Sequence, residues 1–255
     1  LADLIHPKQK LGTELALGLL LLAATCGFFV FVFSRLRYQW SWAGMAEYSG
    51  QLFQGWLVTL GISLGALVVS ALLGVLLMIG QRTPFASVRG FTTCYVELIR
   101  GTPLLVQLMI GYYVVSNALG LDNKIWIGIF LLSLSSSAYI CEILRGGIES
   151  VGKEQIESAR AVGFNRAQIY RYVIVPQALR RVLPALTGQF VNLVKDSSLL
   201  SVLGIEEFTQ EVRMANASNY TALEGYLPLA VGYLILTIPI SFLARRLERR
   251  MTQEV

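Results

Sequence analysis

Histidine, cysteine and charge are scarce in this chain, and each scarcity closes off a class of function. His6 is the single histidine among 255 residues, which excludes a histidine-based catalytic triad in the apolar part of the chain. The three cysteines, Cys26, Cys94 and Cys141, lie within or at the edges of apolar stretches and lack metal-ligand spacing, so they read as small buried residues. Only 15% of residues are charged against 55% hydrophobic, with a mean hydropathy of +0.59. The strict apolar/polar alternation of barrel strands is missing too. What is present instead is a series of long apolar blocks, the mark of an all-α integral membrane protein, because in lipid only helices or closed barrels satisfy every backbone group.

Six blocks are long enough to cross a bilayer, at about 14–34, 53–80, 91–116, 125–144, 177–204 and 224–244. The first is longer than a typical signal segment and has no small-residue cleavage site before Arg35, so it reads as an ordinary helix. The sequence begins with Leu1 rather than methionine, which leaves room for upstream residues or a fused domain. With both termini cytoplasmic, the inner segments hold Lys8, Lys10, Arg82, Arg89, Arg145, Lys153, Arg160, Arg166, Arg171, Arg180, Arg181, Arg245, Arg246, Arg249 and Arg250. The outer segments then hold Arg35, Arg37, Lys124 and Arg213, an asymmetry that predicts this orientation. Glu206, Glu207, Glu211 and Glu224 cluster near the last outer loop, and Tyr38, Trp40 and Trp42 fit an outer aromatic belt. The sequence pI near 9.2 therefore reports cytoplasmic loops beside anionic lipid, not a nucleic-acid partner.

Two short motifs point to chemistry that their surroundings reject. Gly147 to Lys153 has the G-x-x-x-x-G-K spacing of a phosphate-binding loop, yet Glu154 stands where a hydroxyl on magnesium is needed, and the segment follows an apolar helix rather than a strand. No ATPase site of its own is expected. Asn216 and Asn219 open glycosylation triplets, a pattern common by chance. Gly61-x-x-x-Gly65 and Ser70-x-x-x-Gly74 have the spacing for close helix contact and report packing only.

Between the fourth and fifth blocks lies a polar stretch with helical character. From Lys153 to Val162 the residues are good helix formers, and Gly163 is placed to end the helix in a left-handed cap. Asn165-Arg-Ala-Gln168 has a capping-box pattern for a second helix, which Pro176 is expected to stop or bend. Ile156, Ala159 and Gly163 recur on one narrow face that would admit another protein's surface closely, or, alternatively, the hairpin lies on lipid headgroups.

Glu157-Ser-Ala-Arg-Ala-Val-Gly163, nine residues and Val173-Ile-Val-Pro176 resemble the EAA signature of ABC importer permeases, whose form is E-A-A, three residues, G, nine residues, I-x-L-P. Ser158 replaces an alanine, and Val173 and Val175 replace isoleucine and leucine. The stretches 176–184 and 195–204, and Tyr95-Val-Glu-Leu-Ile-Arg-Gly-Thr-Pro103-Leu-Leu-Val-Gln107, extend the likeness to the polar amino acid subfamily over roughly 50–250. That resemblance implies five core helices of the type I importer fold in 50–250, with a coupling loop at 150–176, and an additional helix and outer loop in 1–49. It implies a permease that dimerises with itself or a sister subunit, binds two cytoplasmic ATPase subunits and receives an amino acid from an extracytoplasmic solute-binding protein. ATP and magnesium would sit on the ATPases, with no cofactor on this chain. Glu157, Ser158, Ala159, Gly163 and Pro176 would belong to the ATPase-coupling element.

Ionisable residues inside apolar blocks are expensive and usually face a cavity or a partner. Glu97, Arg100, Glu142, Lys195 and Asp196 are therefore candidates for a substrate pathway, with Pro103 breaking the third block near its middle. Glu97 with Arg100, and Glu142 with Arg145, are equally placed to neutralise one another at i,i+3. Lys195 and Asp196 fall midway along the fifth block and match the two charges of a zwitterionic amino acid. Importing a different small polar solute, such as an opine or sulfur compound, is the nearest alternative; a non-transporting membrane scaffold is the alternative of another class.

Overall fold

A computed structural model describes residues 11–35, 40–220 and 223–252, all of it helix, turn or loop. His6, Lys8, Lys10, Arg37, Tyr38 and Thr221 lie outside the described residues. The chain divides into two units, Leu1–Ser41 and Trp42–Val255. The first contains α1 (Leu11–Arg35), whose Leu15 to Phe33 side chains are exposed all round, as expected of a helix made to face lipid.

The second unit is built on α3 (Ser49–Gln81) and α6 (Lys124–Glu149), which pack against each other along most of their length. α2 (Trp42–Glu47) precedes α3, and α4 (Ala86–Gly101) with α5 (Leu104–Ile110, continuing as a wide turn over Gly111–Ser116) forms a pair bent by 111°. Beyond α6 come α7 (Lys153–Ala161), α8 (Arg166–Ile169), α9 (Val175–Asp196), α10 (Phe208–Asn219) and α11 (Leu223–Thr252). Among the described residues four helices are long and apolar enough to cross a membrane, and the bent pair α4–α5 reaches that length and apolarity when its two arms are counted together.

The fifth expected span, 177–204, differs. It is α9 followed by a tight 3-10 segment, Ser197–Leu203, and its Arg180, Arg181, Gln189, Asn192, Lys195 and Asp196 leave it less apolar than a lipid-facing helix. Lying against α6 and α11, it does not need an apolar surface all round. The ionisable pair Lys195–Asp196 consequently stands at the end of α9 rather than at the middle of a helix.

Small residues set the α3 and α6 spacing. A Cβ on Gly74 would stand 2.6 Å from Ile140 Cγ2 and 3.2 Å from the Cys141 backbone nitrogen, and one on Gly65 3.2 Å from Ile129 Cδ1, whereas Gly61 faces open space. The predicted small-residue spacing is thus used at Gly65, Ser70 and Gly74, all on the side toward the protein interior, but not at Gly61. Ile62, Ala66, Leu108, Leu132, Leu193 and Leu200 fill the contact, and the Ser133 hydroxyl donates across it to the Ala66 carbonyl at 3.3 Å. Gly74→Val is expected to cost about 1–3 kcal/mol through overpacking. A thermal melt in detergent checks this: a melting temperature lowered by several degrees for Gly74→Val, and unchanged for Gly61→Val.

At the opposite end from α7 and α8, α10 is held by a carboxylate that charge counting alone places in solvent. Glu207 is fully buried and accepts hydrogen bonds from Thr59 Oγ1 (3.2 Å) on α3, Tyr233 Oη (3.0 Å) on α11 and the Gln210 backbone N–H (2.9 Å). Burial pushes its carboxyl above the usual range, and the hydrogen bonds offset part of that rise. Asn216 is buried with Gly225 against it, and Asn219 donates to the Gly44 carbonyl at 3.0 Å, so both asparagines serve packing within the fold. The cysteine expectation holds only for Cys141; Cys26 and Cys94 are exposed on the outer surfaces of their helices. Trp40 and Trp42 are about half exposed.

Candidate functional site

Two features distinguish this fold from a plain helical bundle: a polar hairpin at one end and a polar cavity in its middle. The hairpin begins where α6 stops. Gly147 is still inside α6, its Cβ position against Val182 Cγ2, so the phosphate-loop spacing begins in a packed helix, crosses the turn at Ser150–Gly152 and ends on the first residue of α7. α7 ends in a left-handed turn at Gly163 (φ +91°), with Phe164 N–H donating to the Ala159 carbonyl (3.0 Å) and Gly163 N–H to that of Arg160 (2.9 Å). Asn165 and Gln168 then exchange side-chain and backbone hydrogen bonds at 2.9 and 2.8 Å, a complete capping box.

The helix that follows does not end at Pro176. A wide turn, Tyr170–Ile174, in which Val175 N–H reaches back to the Tyr170 carbonyl, shifts the register just before the proline ring. Pro176 falls in the first turn of α9, where its missing N–H costs little. Helix therefore runs unbroken over 166–196, about 45 Å at 1.5 Å per residue, from the hairpin to the cavity.

The narrow face expected to receive a partner is turned inward. Ala159 is buried with Val151, Ile169 and Ile174, and Ile156 packs on the same cluster, because these are the apolar residues that close α7 onto α8 and α9. Gln155 and Gln177 join α7 to α9, and Arg181 Nη1 donates to the Ser150 carbonyl at 3.1 Å. The outward face instead presents Glu157, Ser158, Arg160, Ala161 and Val162, with Val162 78% exposed. Gly163 is exposed, and no atom lies within 4 Å of its Cβ position.

The cavity, of about 320 Å³, is lined by Leu104, Leu132, Ser135, Ser136, Tyr139, Gln189, Asn192, Leu193, Lys195 and Asp196. Ser135 and Ser136 lie at the midpoint of α6, so the cavity is at mid-length of the bundle. Pro103 contributes by position: it caps α5 at the bend, and the next residue, Leu104, is a wall. Gln189 Nε2 donates to Ser136 Oγ at 3.1 Å, tying α9 to α6. The serine-rich stretch Ser133 to Ser137 and the i, i+3, i+7 recurrence of Gln189, Asn192 and Asp196 are the sequence signals for this stripe.

Of the other sequence candidates, Arg100 and Glu142 come together but not in this cavity. Arg100 Nη1 meets Glu142 Oε2 at 2.9 Å, Arg145 Nη2 meets the same oxygen at 2.8 Å, Arg145 pairs with Glu149 at 2.8 Å, and Arg82 approaches Glu149 at 3.9 Å. Glu142 sits about 8 Å along α6 from its midpoint toward the hairpin. The expected Glu142 and Arg145 pair forms, whereas Arg100 reaches across to α6 instead of pairing with Glu97, which is exposed on α4. Internal neutralisation thus accounts for Arg100 and Glu142. Among the described residues no cluster of three or more potential ligands to a metal occurs.

A profile of the family described as binding-protein-dependent transport system inner membrane component matches residues 70–253. The chain is 37% identical over 216 residues to the glutamine transport system permease protein GlnP of Escherichia coli K12, covering 84% of this chain and 98% of that protein. It is 38% identical over 198 residues to the probable glutamine ABC transporter permease protein GlnM of Bacillus subtilis, covering 77% and 91%. A crystal structure of an amino acid ABC transporter with histidines superposes with a TM-score of 0.78 at 32% identity, over 84% of this chain and all of the other.

Proposed function

This chain belongs to the family of binding-protein-dependent transport system inner membrane components, and from that premise we propose that it is the permease subunit of an ATP-driven importer of polar amino acids, glutamine foremost. The observation that carries the proposal is the mid-length polar cavity. A zwitterionic solute brings a carboxylate, an ammonium group and, in glutamine, an amide. Lys195 and Asp196 offer one charge of each sign, and Ser135, Ser136, Gln189 and Asn192 offer neutral donors and acceptors of amide-matching kind. Arg100 and Glu142 are engaged with each other, which leaves Glu97 as an unassigned exposed carboxylate of α4.

The hairpin supports the second half of the reading, coupling to separate ATPase subunits. Its outward face from Glu157 to Val162 is the docking surface, Ala159 and Pro176 act by holding the hairpin's shape, and the continuous helix over 166–196, with its wide turn at Tyr170–Ile174 and Pro184 inside it, links that surface to the cavity. Two ATPases would bear the ATP and magnesium; a second permease copy or sister subunit would complete the path across the bilayer; an extracytoplasmic solute-binding protein would deliver the solute. The termini and the hairpin then face the cytoplasm of a bacterial cell. The transport domain extends over 50–250, with the segment 1–49 an addition to it.

The test is co-purification with the neighbouring ATPase and binding protein, reconstitution in vesicles, and a scan of substrates. Glutamine is expected to stimulate ATP hydrolysis and accumulate inside. Stimulation by an opine or sulfur compound alone would reassign the solute, and the absence of any co-purifying ATPase would sink the transport reading in favour of a scaffold.

A further inference from the structure

The bend between α4 and α5 poses a backbone problem that two side chains, Gln107 and Thr102, meet together. Thr102 is extended (φ −111°, ψ 144°), as a residue before proline must be, and Pro103 begins α5 with its own carbonyl accepting from Val106 and Gln107 N–H at 3.1 and 3.2 Å. In a continuous helix the residue at 103 would donate to the Ile99 carbonyl. Proline has no N–H, so in an apolar setting that carbonyl would be left unpaired, a costly arrangement where no water can replace the lost donor.

Gln107 Nε2 takes the vacant place. It lies 2.6 Å from the Ile99 carbonyl oxygen, 2.9 Å from that of Thr102 and 2.8 Å from Thr102 Oγ1, while Thr102 Oγ1 donates to the Leu98 carbonyl at 2.9 Å and reaches the Ile99 carbonyl only at a long 3.5 Å. Its own Oε1 is buried and accepts no hydrogen bond among the described residues, so within them the amide acts as a donor. One residue beyond the bend, Leu104 lines the polar cavity.

We propose that Gln107 is a positioning residue: its amide caps the carbonyls that Pro103 frees, fixes the 111° bend of α4 and α5, and thereby sets a wall of the solute cavity. The link to solute handling rests on the function proposed above; the role in the bend does not. Gln107→Met preserves length and volume and removes the amide, whose donor is the part that bonds at the bend.

The bend is read by pulsed electron spin resonance between labels at Val88→Cys and Val114→Cys, with Cys26 and Cys94 replaced by alanine and labelled subunits diluted in unlabelled ones. A straight helix would place these Cα atoms about 39 Å apart, and the bend brings them to about 22 Å. In Gln107→Met the distribution is expected to broaden and move toward the longer distance; an unchanged distribution overturns the proposal. In a Pro103→Ala background, where an N–H is available to the Ile99 carbonyl, Gln107→Met is expected to add nothing. An undiminished added effect there overturns the capping role. If Gln107→Met alone fails to fold, recovery of folded complex in the Pro103→Ala double variant supports the proposal and its absence counts against it.

Uptake supplies the separate readout. Gln107→Met should raise the KM for the imported amino acid at least about fivefold with a smaller change in kcat. A bend that opens with KM unchanged would remove the link to the cavity and leave the function intact. A wild-type complex that moves no amino acid would remove the functional reading, while the distance measurement still decides the role of Gln107.

Discussion

Gly163→Val is expected to lower amino-acid-stimulated ATP hydrolysis and uptake by at least about tenfold in the reconstituted complex, with the complex still assembled in the membrane. The reason is backbone conformation rather than space. Gly163 has φ +91°, where a β-branched residue is strained, while its Cβ position is open. Strain of about 1–3 kcal/mol falls on the turn that joins α7 to α8, the turn that aims the outward face from Glu157 to Val162. Gly163→Asn should retain much more activity, because asparagine tolerates the left-handed region. Equal, unimpaired turnover in both variants would show that the turn does not transmit coupling. Ala159→Leu should also lose coupling, but by splitting the hairpin from within, which limited proteolysis at Arg160 and Arg166 would report.

The second large effect is expected at the end of α9. Asp196→Ala and Lys195→Ala should each reduce uptake by at least about tenfold, since each removes one of the two opposite charges lining the cavity. The pair is not equivalent in setting. Lys195 is exposed and Asp196 half-buried, so Asp196→Asn, which keeps shape and loses charge, separates charge recognition from packing. Uptake assayed in vesicles over a range of solute concentrations is the measurement. Normal transport by both alanine variants would refute a role for this end of the cavity.

Much of the hairpin was legible because its determinants are local. A glycine for a left-handed turn and an Asn/Gln pair three residues apart act within a few residues of chain, and both form as their spacing predicts. Pro103 and the break it makes are of the same kind. Which face of α7 turns inward was not legible, because it depends on Ile169 and Ile174, residues of the following helix segment, arriving beside Ala159. The same holds for the ionic groups. Glu142 finds Arg145 three residues on, as the pattern suggests, but also Arg100, 42 residues away, and Glu207 meets Thr59 across 148 residues.

From composition and local pattern alone the chain was determined to be a helical membrane protein, with its four plainly apolar spans, its capped polar hairpin and the break at Pro103 in place. Apolar blocks and caps act on the residues that carry them, so no knowledge of neighbours is needed. Only the tertiary structure decided that α9 lies against α6 and α11, that Arg100 and Glu142 neutralise each other, and that Ser135, Ser136, Gln189 and Asn192 join Lys195 and Asp196 around one cavity. Those outcomes depend on which helix faces which, a matter settled by close contacts such as Gly74 on Ile140 and Gly147 on Val182 between segments remote in sequence.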